Sequence, residues 1–98
     1  MNIQMMMQQA QKMQKEVQKK IDEFEKKHFE YDYKNGSVVV TISGAGLVSD
    51  ISINDVLVDV DDKITLQEMI VEAVNAAIDG VKEDRSAIEQ AAMPRGGL

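Results

Sequence analysis

Four lysines, Lys12, Lys15, Lys19 and Lys26, stand three, four and seven residues apart in the first third of the chain. On a helix of 3.6 residues per turn they fall within a sector of about 60°, with Gln8 among them and with Met13 and Val17 almost opposite. A row of ammonium groups at that spacing can follow a phosphate backbone without reading sequence, because each contact releases condensed counterions. Asp22 interrupts the row, Lys20 and Lys27 sit to one side, and residues 1–84 hold no arginine to read a base edge. The plainer alternative is a solvated helix face that uses lysine for solubility.

The other chemistry-bearing residues point away from catalysis. His28 is the sole histidine and there is no cysteine, so neither a metal site nor a thiol nucleophile can be assembled around them. Gly44-Ala45-Gly46 lacks the Gly-Lys-Ser/Thr ending of a nucleotide-phosphate loop and leads into a strand pattern, so it reads as a turn. Tyr31 and Tyr33 lie on the strand face expected to be buried, which favours core packing over stacking on bases. Most of the 17 acids lie on a helix face or in the Asp59, Asp61, Asp62 connection, where solvation explains them. No nucleophile, base and oxyanion donor come together. The chain is expected to be non-enzymatic, with no small-molecule substrate, cofactor or metal.

The elements that must carry the lysine row follow from periodicity. Met6, Ala10, Met13, Val17, Ile21 and Phe24 recur at spacings of four, three, four, four and three, one apolar stripe on a helix expected over about residues 2–27. The period then changes to two: Phe29, Tyr31 and Tyr33 alternate with charged residues over 28–34. Asn35-Gly36 predicts a two-residue type I′ turn into a second strand over 37–43, with Val38, Val40 and Ile42 on one face. Gly44-Ala45-Gly46 turns the chain into a third strand over 47–53, whose alternation is least clean around Val48. After an acidic connection with a short helical turn near Val56–Val60, Thr65-Leu66-Gln67-Glu68 has the form of a capping box for a helix over 65–92. Leu66, Met69, Ile70, Ala73, Ala77, Val81 and Ile88 form its apolar face, Glu68, Glu72, Asp79 and Glu83 lie opposite, and Gly80 inside it suggests a bend or a close approach. Pro94 and two glycines mark a tail over 93–98.

The fold class is therefore α+β, in the order α-β-β-β-α, with a three-stranded antiparallel sheet in a single domain over residues 1–98. A first helix of roughly 39 Å must overhang a body whose radius of gyration would be about 13 Å. Its methionine-rich stripe, with Met5, Met6, Met7 and Met13, then asks for a partner, and a second copy is the simplest one. Charge is divided unevenly: residues 1–34 hold seven lysines and six acids, while residues 35–98 hold four basic and eleven acidic groups, for a net charge of -6. Glutamine breaks every apolar run at the start, so neither a signal peptide nor a membrane span is expected, and the lack of cysteine fits the cytoplasm.

"MMQQAQKMQKEVQKK" on the first helix, "VVVTISGAGLVSDISIND" through the second and third strands and "LQEMIVEAVNAAID" on the last helix together resemble the YbaB/EbfC family of bacterial nucleoid-associated proteins. The resemblance covers about residues 5–85. It implies a tweezer-like homodimer in which the sheets associate and the first helices project as arms. The dimer contact is then expected to involve Met6, Met13 and Val17 on the helix and Val40 and Ile42 on the sheet. It also implies a nucleoid-located protein that binds duplex DNA with little sequence preference, through Lys12, Lys15, Lys19 and Lys26, and that influences nucleoid organisation and gene expression. Lys34-Asn35-Gly36-Ser37 departs from the glycine-rich hairpin turn of relatives. The alternative is an acidic dimeric module that clasps a protein and binds no nucleic acid.

Overall fold

The structure is a computed structural model that describes residues 2–91; the tail expected at 93–98 lies outside the described residues. Helix α1 (Ile3–Lys26) is followed by strands β1 (His28–Tyr33), β2 (Val38–Ser43) and β3 (Val48–Ile53), a 3-10 turn (Asp55–Leu57) and helix α2 (Lys63–Ala91). The strands form one antiparallel sheet in the order β1-β2-β3, and α2 packs on one face of it. This is the α-β-β-β-α arrangement that the periodicities predict.

The first hairpin turns at Asn35-Gly36, but the connection between the paired strands is four residues, 34–37, not the expected two. Asn35 and Gly36 take φ of 54° and 82°, the Ser37 amide donates to the Lys34 carbonyl at 3.2 Å, and Tyr33 pairs with Val38. The backbone of Lys34 is left-handed as well, at φ 51°, which dipeptide statistics do not reveal. In β3 one extra residue interrupts the register: Thr41 pairs with Asp50 but Ile42 pairs with Val48, leaving Ser49 as a bulge. The bulge explains the broken alternation, because Val48 then shares the core side with Ile51 and Ile53.

Helix α2 begins two residues before the expected capping box. The Asp62 carboxylate accepts from the Thr65 amide at 3.2 Å, so Asp62 caps the helix and Thr65 lies in its first turn. Ahead of it, the Asn54 side chain accepts from the Val56 amide at 3.0 Å and starts the 3-10 turn.

The core is small. Phe24, Val38, Val40, Ile42, Ala73, Ala77 and Val81 are buried together, and Phe29, Tyr31, Tyr33, Ile51, Met69 and Ile88 close its edges. Gly80 is a close-approach position: a Cβ there would stand 2.4 Å from Cε1 of Tyr31, so the missing side chain lets the ring slide under α2. Tyr33 in turn donates its hydroxyl to the Glu72 carboxylate.

Both phenols hold their protons above the ordinary tyrosine value of 10.0. Burial, then the Asp84 carboxylate, raises Tyr31; the hydrogen bond to Glu72, then burial, raises Tyr33. Above about pH 10 the unfolded chain releases phenolic protons that the folded chain keeps, so this contribution is complete below that pH and is lost as pH rises through the folded values. In urea melts, the stability difference between the wild type and a Tyr31→Phe/Tyr33→Phe variant is expected to shift against the wild type between pH 8 and pH 11. A pH-independent difference would refute this linkage.

Candidate nucleic-acid interface

Helix α1 is held at both ends by local chemistry. The Asn2 side chain accepts from the Gln4 and Met5 amides at 3.1 and 3.3 Å, which satisfies two of the free donors at the N-terminus. Lys26 lies in the last turn, where its charge suits the helix dipole. At the root, Ile21 and Phe24 are buried, and the Phe24 and Phe29 rings lie 5.2 Å apart. The Gly44 amide donates to the Lys27 carbonyl at 3.0 Å, and Arg85 of α2 reaches Glu25 at 3.7 Å.

Beyond that root the helix stands alone. Every described residue from Asn2 to Glu16 is exposed, and Val17 is half-buried. The molecule measures 71 × 26 × 17 Å with a radius of gyration of 19.6 Å, against about 13 Å for a compact domain of this length. Its accessible surface of 7717 Å² also exceeds the about 5,600 Å² expected of a compact monomer of this mass. The first helix is therefore an arm.

Lys12, Lys15, Lys19 and Lys26 are all exposed on this arm. Lys15, Lys19 and Lys26 line one shallow crease together with Gln18, Asp22 and Glu23, and Lys12 lies about one turn farther out. Asp22 is engaged by the Gln18 side chain at 2.8 Å. Glu23 also enters the crease, and the sequence reading, which named only Asp22, missed it. Among the described residues the ion pairs are Arg85–Glu25 and Arg85–Glu89, so none of the four lysines is paired with a carboxylate of its own chain.

The apolar positions expected at a dimer contact separate into two groups. Met6 and Met13 are 56% and 42% exposed, and Val17 is half-buried beside the root. Val40 and Ile42 are 0% exposed beneath α2 and offer no surface to a second copy. That expectation is corrected: the face of β2 that carries them is already covered by α2 of the same chain. Sequence reasoning also missed an apolar patch at the opposite end of the molecule. Val56, Val58, Val60 and Ile64 are exposed there in a stretch that also holds Asp55, Asp59, Asp61 and Asp62, and Val58 and Val60 line a shallow crease with Asp59 and Lys63. The alternation of valine with aspartate in 56–62 was its signal.

His28 is exposed, and among the described residues no group of three or more metal-ligating side chains is gathered. No helix among them is long and apolar enough to cross a membrane.

Comparison with known proteins places this geometry. The sequence matches the family model of the YbaB/EbfC DNA-binding family over residues 1–97. A nucleoid-associated protein of Malacoplasma penetrans is 43% identical over 94 residues, covering 96% of this chain and 99% of that one. An uncharacterized protein of Mycoplasma genitalium is 42% identical over 65 residues, 66% of this chain. The match spans 65% of the length of that relative and of its Mycoplasma pneumoniae homologue. The crystal structure of an uncharacterized Helicobacter pylori protein shares the fold, with a TM-score of 0.72 over 93% of this chain and 96% of that one, at 23% identity. With its arm, its sheet and its second helix matched in order along nearly the whole sequence, the chain belongs to the YbaB/EbfC DNA-binding family.

Proposed function

We propose that this protein is a nucleoid-associated DNA-binding protein that acts as a homodimer and grips duplex DNA with little sequence preference through Lys12, Lys15, Lys19 and Lys26. The observation that carries the reading is a projecting arm whose four exposed lysines have no carboxylate partner among the described residues. Family membership supports DNA as the ligand, and so does the name of the Malacoplasma relative. The role is architectural and calls for no catalysis or cofactor, and it places the protein in the bacterial cytoplasm, on the nucleoid.

The dimer rests on the surface excess. About 2,100 Å² lies beyond the compact expectation, and a standard interface takes about 800 Å² from each partner. The Met6, Met13 and Val17 stripe faces the twin, which leaves the opposite, lysine-bearing edge for DNA. Sedimentation at working concentration is expected to give twice 10.9 kDa.

Because a dimer carries a formal charge of -12, twice the -6 of one chain, attraction at long range is weak and binding depends on local contacts. If all four lysines of both arms meet phosphate, the slope of log K against log salt is about -7. Fluorescence anisotropy of unrelated duplexes across a salt series measures it, on protein freed of nucleic acid. An affinity that does not change with salt would contradict the mechanism.

A second reading has one observation in its favour, the exposed valine patch interspersed with aspartates at the end away from the arm. It makes the protein an acidic module that clasps a protein partner and shifts no duplex, single strand or RNA at low salt. Pull-downs from nuclease-treated lysate separate the two.

A further inference from the structure

We propose that the notch between the β2–β3 turn and the middle of α2 binds a phosphate group, held by Lys82, Arg85 and the backbone amide of Ala45. The notch is formed by the Gly44–Gly46 turn on one side and by Ile78, Val81, Lys82 and Arg85 on the other. It is a feature of the body, distinct from the lysine crease of the arm.

Three observations converge on it. Helix α2 carries three basic residues, Lys63, Lys82 and Arg85, and two of them line this one notch, while no carboxylate does. The turn opposite supplies a free donor. Gly44 donates to the Lys27 carbonyl, Gly46 to the Ser43 carbonyl and Leu47 to the Ser43 hydroxyl, and among the described residues the Ala45 amide has no acceptor. Two cations facing a turn with an unused amide provide the donors that a phosphate oxygen accepts from.

The existing claims on these cations are weak. Arg85 meets Glu25 at 3.7 Å and Glu89 at 3.5 Å, both long contacts between partly exposed side chains, and Lys82 forms no ion pair among the described residues. Exposed pairs of that kind contribute little and yield to a doubly charged oxyanion. Glu25 and Glu89 are therefore the groups a phosphate must outcompete, and Ile78 and Val81 form an apolar floor that limits water beneath it. The glycine turn leads into a strand and presents no helix N-terminus, which is why its sequence gives no phosphate signature. The cations come from a helix almost 40 residues farther along the chain.

The source of the phosphate is either a free phosphorylated compound or the backbone of bound DNA. The test is an NMR titration of the intact protein with inorganic phosphate and with pyrophosphate at matched ionic strength, following the amides of residues 44–47. Saturable shifts confined to that turn and to α2 around Lys82 are expected. Lys82→Gln, at an exposed position, should weaken pyrophosphate binding roughly tenfold, in line with the loss of one charge-assisted contact. Arg85→Gln should do the same, with a thermal melt to show that α1 remains docked. The absence of localised saturation, or an affinity that both variants leave unchanged, overturns the proposal.

The same variants separate the sources when a short duplex is titrated. If Lys82→Gln also lowers duplex affinity and flattens its salt slope by about one per chain, the phosphate is that of DNA. If duplex affinity is unchanged while pyrophosphate binding falls, the notch serves a free phosphate compound. Charge reversal of the arm lysines tests the DNA reading separately, because it should leave pyrophosphate binding intact.

Discussion

A Lys12→Glu/Lys15→Glu/Lys19→Glu variant is expected to lose duplex binding by roughly a thousandfold at low salt while keeping its fold and its dimer. The magnitude follows from counterion release, in which six to ten phosphate contacts govern about three to five decades of affinity over a modest range of salt. A dimer with the triple substitution loses six of its eight row contacts and gains six carboxylates that repel phosphate. Each chain then changes from a formal charge of -6 to -12, since each of three reversals adds -2. The fold should tolerate this because all three positions are exposed on the arm and glutamate is nearly as good a helix former as lysine. The matching Lys→Gln variant separates lost attraction from added repulsion: its salt slope should fall from about -7 to about -2. Anisotropy with two unrelated duplexes reads both quantities, and circular dichroism with sedimentation checks fold and assembly. If the glutamate variant bound DNA as the wild type does, the lysine row would be no more than a solvated face.

The second large effect concerns how the arm is attached. A Cβ on Gly44 would stand 2.0 Å from the Phe24 carbonyl oxygen and 2.7 Å from Cδ2 of its ring. The obstacle is backbone at the root of α1, which cannot move aside as the end of a flexible side chain can. Gly44→Ala must push the β2–β3 turn away from the helix, stretch the bond from the Gly44 amide to the Lys27 carbonyl and loosen Phe24 in the core. Overpacking of this kind destabilises by about 1–3 kcal/mol and occasionally more. In a domain of this size each kcal/mol lowers the melting temperature by about 4–8 °C. A drop of about 4–24 °C is therefore expected by calorimetry, together with faster amide exchange at Lys27 and Gly44. A melting temperature within a degree or two of wild type would show that the turn and the helix root are not in this contact. Gly46 is the internal control. It sits at φ 87°, but a Cβ there meets nothing within 4 Å, so Gly46→Ala strains only the backbone.

These two predictions rest on different kinds of knowledge. The lysine row could be placed from spacing alone, because residues that share a helix face are set by a repeat of 3.6. The same local physics made the element order legible: the stripe from Met6 to Phe24, the alternation from Phe29 to Tyr33 and the positive φ angles at Asn35-Gly36 each depend on neighbours within a few residues. Even the disturbed alternation at Val48 was visible, although only the pairing of Ile42 with Val48 identified it as a bulge at Ser49.

Local competition explains one miss. Asp62 and Thr65 can both cap a helix, and the chain uses the carboxylate that comes first, so the capping box is bypassed. The other misses are matters of packing between distant segments. From the sequence, Val40, Ile42, Met6 and Met13 are all apolar residues on periodic stripes. Whether such a residue ends inside or outside depends on which element lies over it. Helix α2 covers Val40 and Ile42 completely, while Met6 is left 56% exposed by the described residues. Gly44 and Gly80 look like a turn residue and a weak helix position until Phe24 and Tyr31 are found against them. The meeting of Lys82 and Arg85 with the Ala45 turn is of the same kind. Short-range spacing thus determined which elements form and which side chains share a face. The choice of which faces meet, and so of what is left exposed to recognise a partner, required the folded chain, because contact between segments tens of residues apart is set by close packing in three dimensions.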